Sequence, residues 1–175
     1  NNWINIGTGT MYPNATSFTN TSVLTGKVRL YGTFTVNKQF SFVDAEIAAN
    51  TASKIVVNKT SQNKPISLSS KNSRFYSCTD KLWKGIEIGD SCHIAMTNST
   101  IEDALYGLEL KNRDKKEINS NTFKNNFIAI FQTPTTSNHI IQSSDYDRDI
   151  WFNDIINNTF TGKGTGYIKP APAGI

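Results

Sequence analysis

Cysteine, histidine and methionine occur only twice each among the 175 residues. Structural zinc takes about four Cys or His ligands. Cys78 and Cys92 show no metal-ligand spacing and His93 and His139 stand far apart, which argues against a zinc-built fold. Two cysteines this close admit a disulfide in an oxidising compartment and equally admit two buried thiols, and the sequence leaves both open. No apolar run approaches the roughly 18 residues that a spanning helix needs, so no membrane-spanning segment is expected. Helix formers are scarce too. In their place stand abundant Asn, Ser and Thr, with apolar residues in short runs, a composition that suits many short strands joined by polar turns. The formal net charge of +4 and pI near 9.0 fit acidic partners such as anionic glycans or a charged envelope. Lys and Arg are scattered, however, as on an ordinary soluble surface.

A four-residue pattern organises the chain: polar, small or polar, any residue, then large and apolar. It recurs at Asp44-Ala45-Glu46-Ile47, Asn72-Ser73-Arg74-Phe75, Asn98-Ser99-Thr100-Ile101, Ser120-Asn121-Thr122-Phe123 and Asn157-Asn158-Thr159-Phe160. The apolar anchors are separated by 28, 26, 22 and 37 residues. In the last three copies Met96, Ile118 and Ile155 precede the anchor. Gly107, Ala129 and Gly166 follow it, each succeeded by a large residue, Leu108, Ile130 and Tyr167. A repeat of this length means one supersecondary unit per copy, stacked on its neighbours. The units alternate with period two, as in Val28, Leu30, Phe34 and Val36, in Ile55 and Val57, and in Ile86 and Ile88. The expectation is an all-β, right-handed parallel β-helix, a solenoid of about five to six coils. Its bounds are residues 26–168, after a capping or irregular amino-terminal segment, 1–25, and before a linker or truncated end, 169–175. Aligned apolar residues pile up inside, aligned Asn and Ser bond along the corners, and the small column marks a tight bend. The start at Asn1-Asn2-Trp3 and the Pro/Ala-rich end suggest a piece of a longer protein.

The tract Cys78-Thr79-Asp80-Lys81-Leu82-Trp83-Lys84-Gly85-Ile86-Glu87-Ile88 precedes Asn98-Ser99-Thr100-Ile101-Glu102-Asp103-Ala104 and Tyr106-Gly107-Leu108. With Gly32–Val36 and Lys54–Val57 upstream, this arrangement resembles the right-handed parallel β-helix repeat proteins exported by the bacterial type IX secretion system. The similarity spans roughly residues 24 to 168. It implies an extracellular or outer cell-surface location and a place for Trp83 at a coil corner. It says little about activity, because fold does not imply function.

Many parallel β-helices are polysaccharide lyases or hydrolases, which need clustered acids or a calcium site beside a base. The candidate acids are Glu87, Glu102, Asp103, Glu109 and Asp114. Glu87 and Glu109 lie between inward apolar residues and 22 positions apart, so adjacent coils could pair them; Lys84, nearby in sequence, is the cation expected to offset their repulsion. The long 37-residue interval makes room for an excursion between about Thr133 and Trp151. Within it, Asp145, Asp147 and Asp149 resemble the start of a calcium loop, but Ile150 and Ile156 stand where an EF-hand needs Gly and Glu. Calcium is therefore the one cofactor to consider, and otherwise none is expected. Tyr146, Trp151 and Trp83 are the candidate glycan-stacking aromatics, weighed against anchoring roles. The charged run Lys111–Lys116 reads as a solvated turn. Gly7-Thr8-Gly9-Thr10 is a short Gly-rich stretch in a segment expected to be irregular. There is no Ser-His-Asp ordering, no phosphate-cradling loop and no nucleic-acid module.

The leading expectation is a noncatalytic surface module for adhesion, glycan binding or surface-assembly scaffolding, its partners glycans or other surface proteins. The alternative is a fragment of a polysaccharide lyase or glycoside hydrolase using Glu87 and Glu109. A third is a fibre spacer stacking on neighbouring domains of a longer protein.

Overall fold

The computed structural model describes residues 2–58, 66–90, 92–111, 116–132 and 155–162. Its strands are β1 (Ile4–Gly7), β2 (Val23–Tyr31), β3 (Thr33–Val36), β4 (Phe40–Ala49), β5 (Lys54–Val57), β6 (Ile66–Lys71), β7 (Arg74–Ser77) and β8 (Trp83–Ile88). They continue with β9 (Cys92–Thr97), β10 (Thr100–Glu102), β11 (Ala104–Leu110), β12 (Lys116–Asn119), β13 (Thr122–Lys124), β14 (Ile128–Gln132), β15 (Ile155–Ile156) and β16 (Thr159–Thr161). One 3-10 turn, Ala15–Ser17, is the only other regular element among the described residues.

Each strand pairs in parallel with its counterpart one turn along the chain, which makes the molecule a parallel β-solenoid of about five turns. Three faces result. Face one stacks the first half of β4 with β6, β9, β12 and β15. Face two stacks β1, the later part of β2, the second half of β4, β7, β10, β13 and β16. Face three stacks β3, β5, β8, β11 and β14.

The repeat read from the sequence is the register of this stack. Ile47 pairs with Phe75, Phe75 with Ile101, Ile101 with Phe123, and Phe123 with Phe160. Met96, Ile118 and Ile155 form a second such column on face one. The first four anchors are buried, while Phe160, in the last described strand, is 56% exposed. Phe34, Phe40, Phe42 and Phe75 add a run of edge-on rings inside the coil, with centroids 5.4–5.6 Å apart. Such geometry adds to simple area burial.

The first residue of each repeat copy turns the corner between faces one and two. Asp44, Asn72, Asn98, Ser120 and Asn157 all have φ between 49 and 57°, the left-handed region. Asn and Asp tolerate it best after Gly, which explains the polar residue at that position. The second residue points inward and bonds along the stack. Ser73 Oγ accepts from Ala45 N, Ser99 Oγ from Ser73 N, Asn121 Oδ1 from Ser99 N and Asn158 Oδ1 from Asn121 N, at 2.8–3.2 Å. One buried chain of hydrogen bonds thus satisfies amides that the bend takes out of the sheet ladder.

Gly107 behaves as the small column required, because a Cβ there would lie 2.4 Å from the Ala129 carbonyl oxygen. It is the extra residue where β11 slips register against β8. The amino-terminal segment expected as a cap carries a strand of its own. β1 pairs with β2 through Ile4 and Val28, so stacking begins before residue 25. The loop that follows places Phe18 against Tyr12, Phe34 and Phe40, closing the core.

Candidate functional site

Outward side chains on face three line up across turns. Glu87 and Glu109 are direct register partners, as their 22-residue spacing implied. Their ladder continues to Val56 on one side and Phe131 on the other. The adjacent ladder holds Lys54, Gly85 and Tyr106. Gly85 keeps this strip open to the neighbouring backbone: its φ is +97°, and a Cβ would fall 1.6 Å from the Tyr106 carbonyl oxygen.

Lys54, Lys84, Glu87, Leu105, Tyr106 and Glu109 line a groove of about 230 Å3. Glu87 is its electrostatic centre. One carboxylate oxygen meets Lys54 Nζ at 3.0 Å and the other meets Lys111 Nζ at 2.6 Å. Burial, with the side chain 16% exposed, works against the charge, but hydrogen bonds and attraction from the two lysines outweigh it. The Glu87 carboxyl is therefore held below the ordinary glutamate range. The same contact holds the Lys111 ammonium above its ordinary value. Sequence reasoning gave the neutralising role to Lys84. That residue lines the groove, but the partners of Glu87 come from one turn earlier and from the end of β11. Tyr106 supplies an aromatic wall, with its ring 5.3 Å from that of Phe131. Neither ring was singled out from the sequence. The available signal was their outward place in an otherwise apolar strand. Chemically, the strip offers ionised acceptors, ammonium donors and an aromatic face.

Trp83 does not belong to a binding surface. It is fully buried, and its Nε1–H donates to the Glu102 carbonyl at 2.9 Å. Ala104, its register partner, is small enough to leave room for the indole. The disulfide weighed for Cys78 and Cys92 is not formed. Cys78 lies exposed beyond β7 with its thiol toward Asn50, whereas Cys92 is buried at the start of β9, and the two belong to different corners of the coil. Tyr146 and Trp151, and the calcium candidates Asp145, Asp147 and Asp149, lie outside the described residues, as does Asp114.

Glu102 is a different kind of acid. On face two it is almost fully buried, bonded to Arg74 and 3.3 Å from Lys124 Nζ. Arg74 also lies over the Tyr76 ring at 4.4 Å, and the Tyr76 hydroxyl donates to Glu46. These charges satisfy one another. Asp103 occupies a left-handed corner with φ 56°. Among the described residues no cluster of three His, Cys, Asp or Glu side chains converges to hold a metal ion, and no helix is long and apolar enough to cross a membrane.

Compared with known proteins, the chain matches no family model, no curated protein and no solved structure.

Proposed function

We propose that this chain is a noncatalytic module of a bacterial cell surface that recognises glycans through the face-three groove. The observation that carries the reading is the placement of the Tyr106 ring beside Glu87, a carboxylate kept ionised by Lys54 and Lys111. Sugar recognition uses this combination: an aromatic face for the ring's C–H groups and fixed charged groups for its hydroxyls. The resemblance of the Cys78–Ile88 tract to type IX secretion cargo supports an extracellular location and export by that route. A flat solenoid face also suits scaffolding of other surface proteins, and stacking on neighbouring domains of a longer chain is consistent with a repeat architecture.

The carbohydrate-active alternative is favoured by one observation, the direct register of Glu87 and Glu109. Neighbouring strands lie about 4.8 Å apart, near the separation of roughly 5 Å that retaining glycosidases use. Against it, Glu87 is held ionised and so is unsuited to be the general acid, and in the nucleophile's role both of its oxygens are already bonded to lysines. A glycan-array screen with and without calcium, followed by product analysis of each bound glycan, separates the readings. Binding without cleavage, weakened by Tyr106→Ala, is the expected result. Cleavage abolished by Glu87→Gln or Glu109→Gln would overturn it in favour of the enzyme. Binding that needs calcium would move the site toward Asp145, Asp147 and Asp149.

A further inference from the structure

At the amino-terminal end, the loop after β1 doubles back and bounds a cleft of about 580 Å3 whose walls include Trp3, Asn5, Met11, Tyr12 and Tyr31. The loop is the Gly7-Thr8-Gly9-Thr10 stretch, and it is ordered rather than loose. Gly7 N donates to Tyr12 O at 2.9 Å, and Thr10 N and Oγ1 both donate to Gly7 O at 3.1 and 2.8 Å. Thr8 Oγ1 exchanges hydrogen bonds with the Thr33 backbone. Gly7 has φ +100°, and a Cβ there would fall 2.0 Å from the Tyr31 carbonyl oxygen, so only Gly lets the loop close on β2. The cleft is therefore preformed, with three aromatic residues in its walls and Met11 81% exposed at its side.

Two cations stand beside one of its walls. Lys27 Nζ and Arg29 Cζ lie 5.6 and 5.0 Å from the centroid of the Trp3 ring, which itself lines the cleft. The ladder neighbours of Arg29 are Asn5 and Ala48, neither of them acidic. Lys27 is opposite Glu46, an acid that keeps its charge while accepting the Tyr76 hydroxyl, so Arg29 is the cation of the two without an acidic ladder neighbour. Farther along the same face the cations are spent on a protein acid, with Arg74 and Lys124 both on Glu102. Half-buried aromatics and threonine hydroxyls in the cleft, with two cations beside its Trp3 wall, select a ligand that is both flat-faced and negatively charged.

We infer that this cleft binds an anionic oligosaccharide, with a sugar ring against the aromatic wall and its carboxylate or sulfate held by Arg29 and Lys27. The site extends the glycan reading to a second place on the molecule and rests on residues that the face-three groove does not use.

Calorimetric titration of the whole chain with trigalacturonic acid, its methyl ester and a heparin-derived tetrasaccharide tests it. The acidic trisaccharide should bind, less tightly as salt rises. Arg29→Gln should weaken binding by about tenfold or more, the loss of one charge-assisted contact. Lys27→Gln and Trp3→Ala should weaken it too, while Tyr106→Ala leaves it unchanged. Because Lys27 and Arg29 are exposed, those two variants should melt like the parent, which keeps the test informative even if Trp3→Ala unfolds. Preference for the tetrasaccharide supports the site with sulfate as its anion, and preference for trigalacturonate supports it with carboxylate. Equal binding of acid and ester, undiminished binding by Arg29→Gln, or no binding of either anion overturns it. Loss of the same binding in Tyr106→Ala also overturns it, while leaving the face-three proposal standing.

Discussion

Asn121 is the point where the corner ladder is most exposed to a single change. Its Oδ1 accepts from Ser99 N at 2.9 Å, and its Nδ2 donates to Met96 O at 2.9 Å and to Asn158 Oδ1 at 3.1 Å, all at a side chain 1% exposed. Asn121→Ala removes these contacts, leaves the Ser99 amide unpaired where water has little access, and takes one donor from the Met96 carbonyl in the β9–β12 ladder. A buried group left unsatisfied costs about 1–3 kcal/mol. One such amide, plus the roughly 0.5–1.5 kcal/mol of the lost bond to Met96, gives roughly 1.5–4.5 kcal/mol, and about 3 kcal/mol is the expected loss. Asn121→Asp keeps the shape but turns the donor into an acceptor facing two acceptors, and it buries a charge. It should cost at least as much at neutral pH and recover as pH falls, because protonation restores a donor. The neighbouring Ser120→Gly is the control. It relieves a left-handed φ of 57° at an exposed corner and should stay within about 1 kcal/mol of the parent. Urea titration followed by circular dichroism reads all three, and hydrogen exchange at the Ser99 amide locates the effect. An Asn121→Ala protein as stable as the Ser120→Gly control would refute the claim that the ladder holds the corner.

Gly107→Ala should destabilise by about 1–3 kcal/mol, since its Cβ would overlap the Ala129 carbonyl and push β11 off β14, measurable in the same titration. Glu87→Gln removes the partner of both Lys54 and Lys111. Because the folded state depresses the Glu87 proton affinity, its stabilisation is complete above the ordinary glutamate value and disappears as pH falls through the folded one. The stability gap between the parent and Glu87→Gln should therefore be widest near neutrality and close below about pH 4, and a gap that grows on acidification would contradict the pairing. Cys78 should react with a maleimide in the native protein and Cys92 only after denaturation, as counted by mass spectrometry; immediate double labelling would contradict the burial of Cys92.

The repeat was legible because inward positions obey one constraint turn after turn. Ile47, Phe75, Ile101 and Phe123 must fill the same column, and Ser73, Ser99 and Asn121 must meet the same kind of amide. Their alignment therefore survives variation in coil length, and even the 37-residue interval leaves Phe123 paired with Phe160. Trp83 shows the limit of local reading. Its large ring after a polar turn fits a platform as well as a core, and the neighbours on the next turn that enclose it, Ala104 in register and the Glu102 carbonyl that accepts its N–H, are not visible in its local sequence. The partners of Glu87 were hidden for a related reason. Lys54 and Lys111 lie 33 and 24 residues away, and nothing in the repeat demands a lysine at either place.

The outward grid also explains why charge alone did not point to a site. Stacked turns place exposed side chains about 4.8 Å apart, close enough for neighbours to neutralise one another. Face two does so around Glu102, which keeps Arg74 and Lys124 occupied. Face three keeps one carboxylate between two lysines and sets an aromatic ring beside it. At the amino-terminal end the pattern changes, because Arg29 has Asn5 and Ala48 where an acid would have closed the pair. A net charge of +4 is small for a chain of this size, but its effect depends on where the acids fail to follow the bases. On this solenoid that place adjoins the Trp3 wall of an aromatic-lined cleft, and the adjacency, rather than the total, directs attention to an anionic ligand.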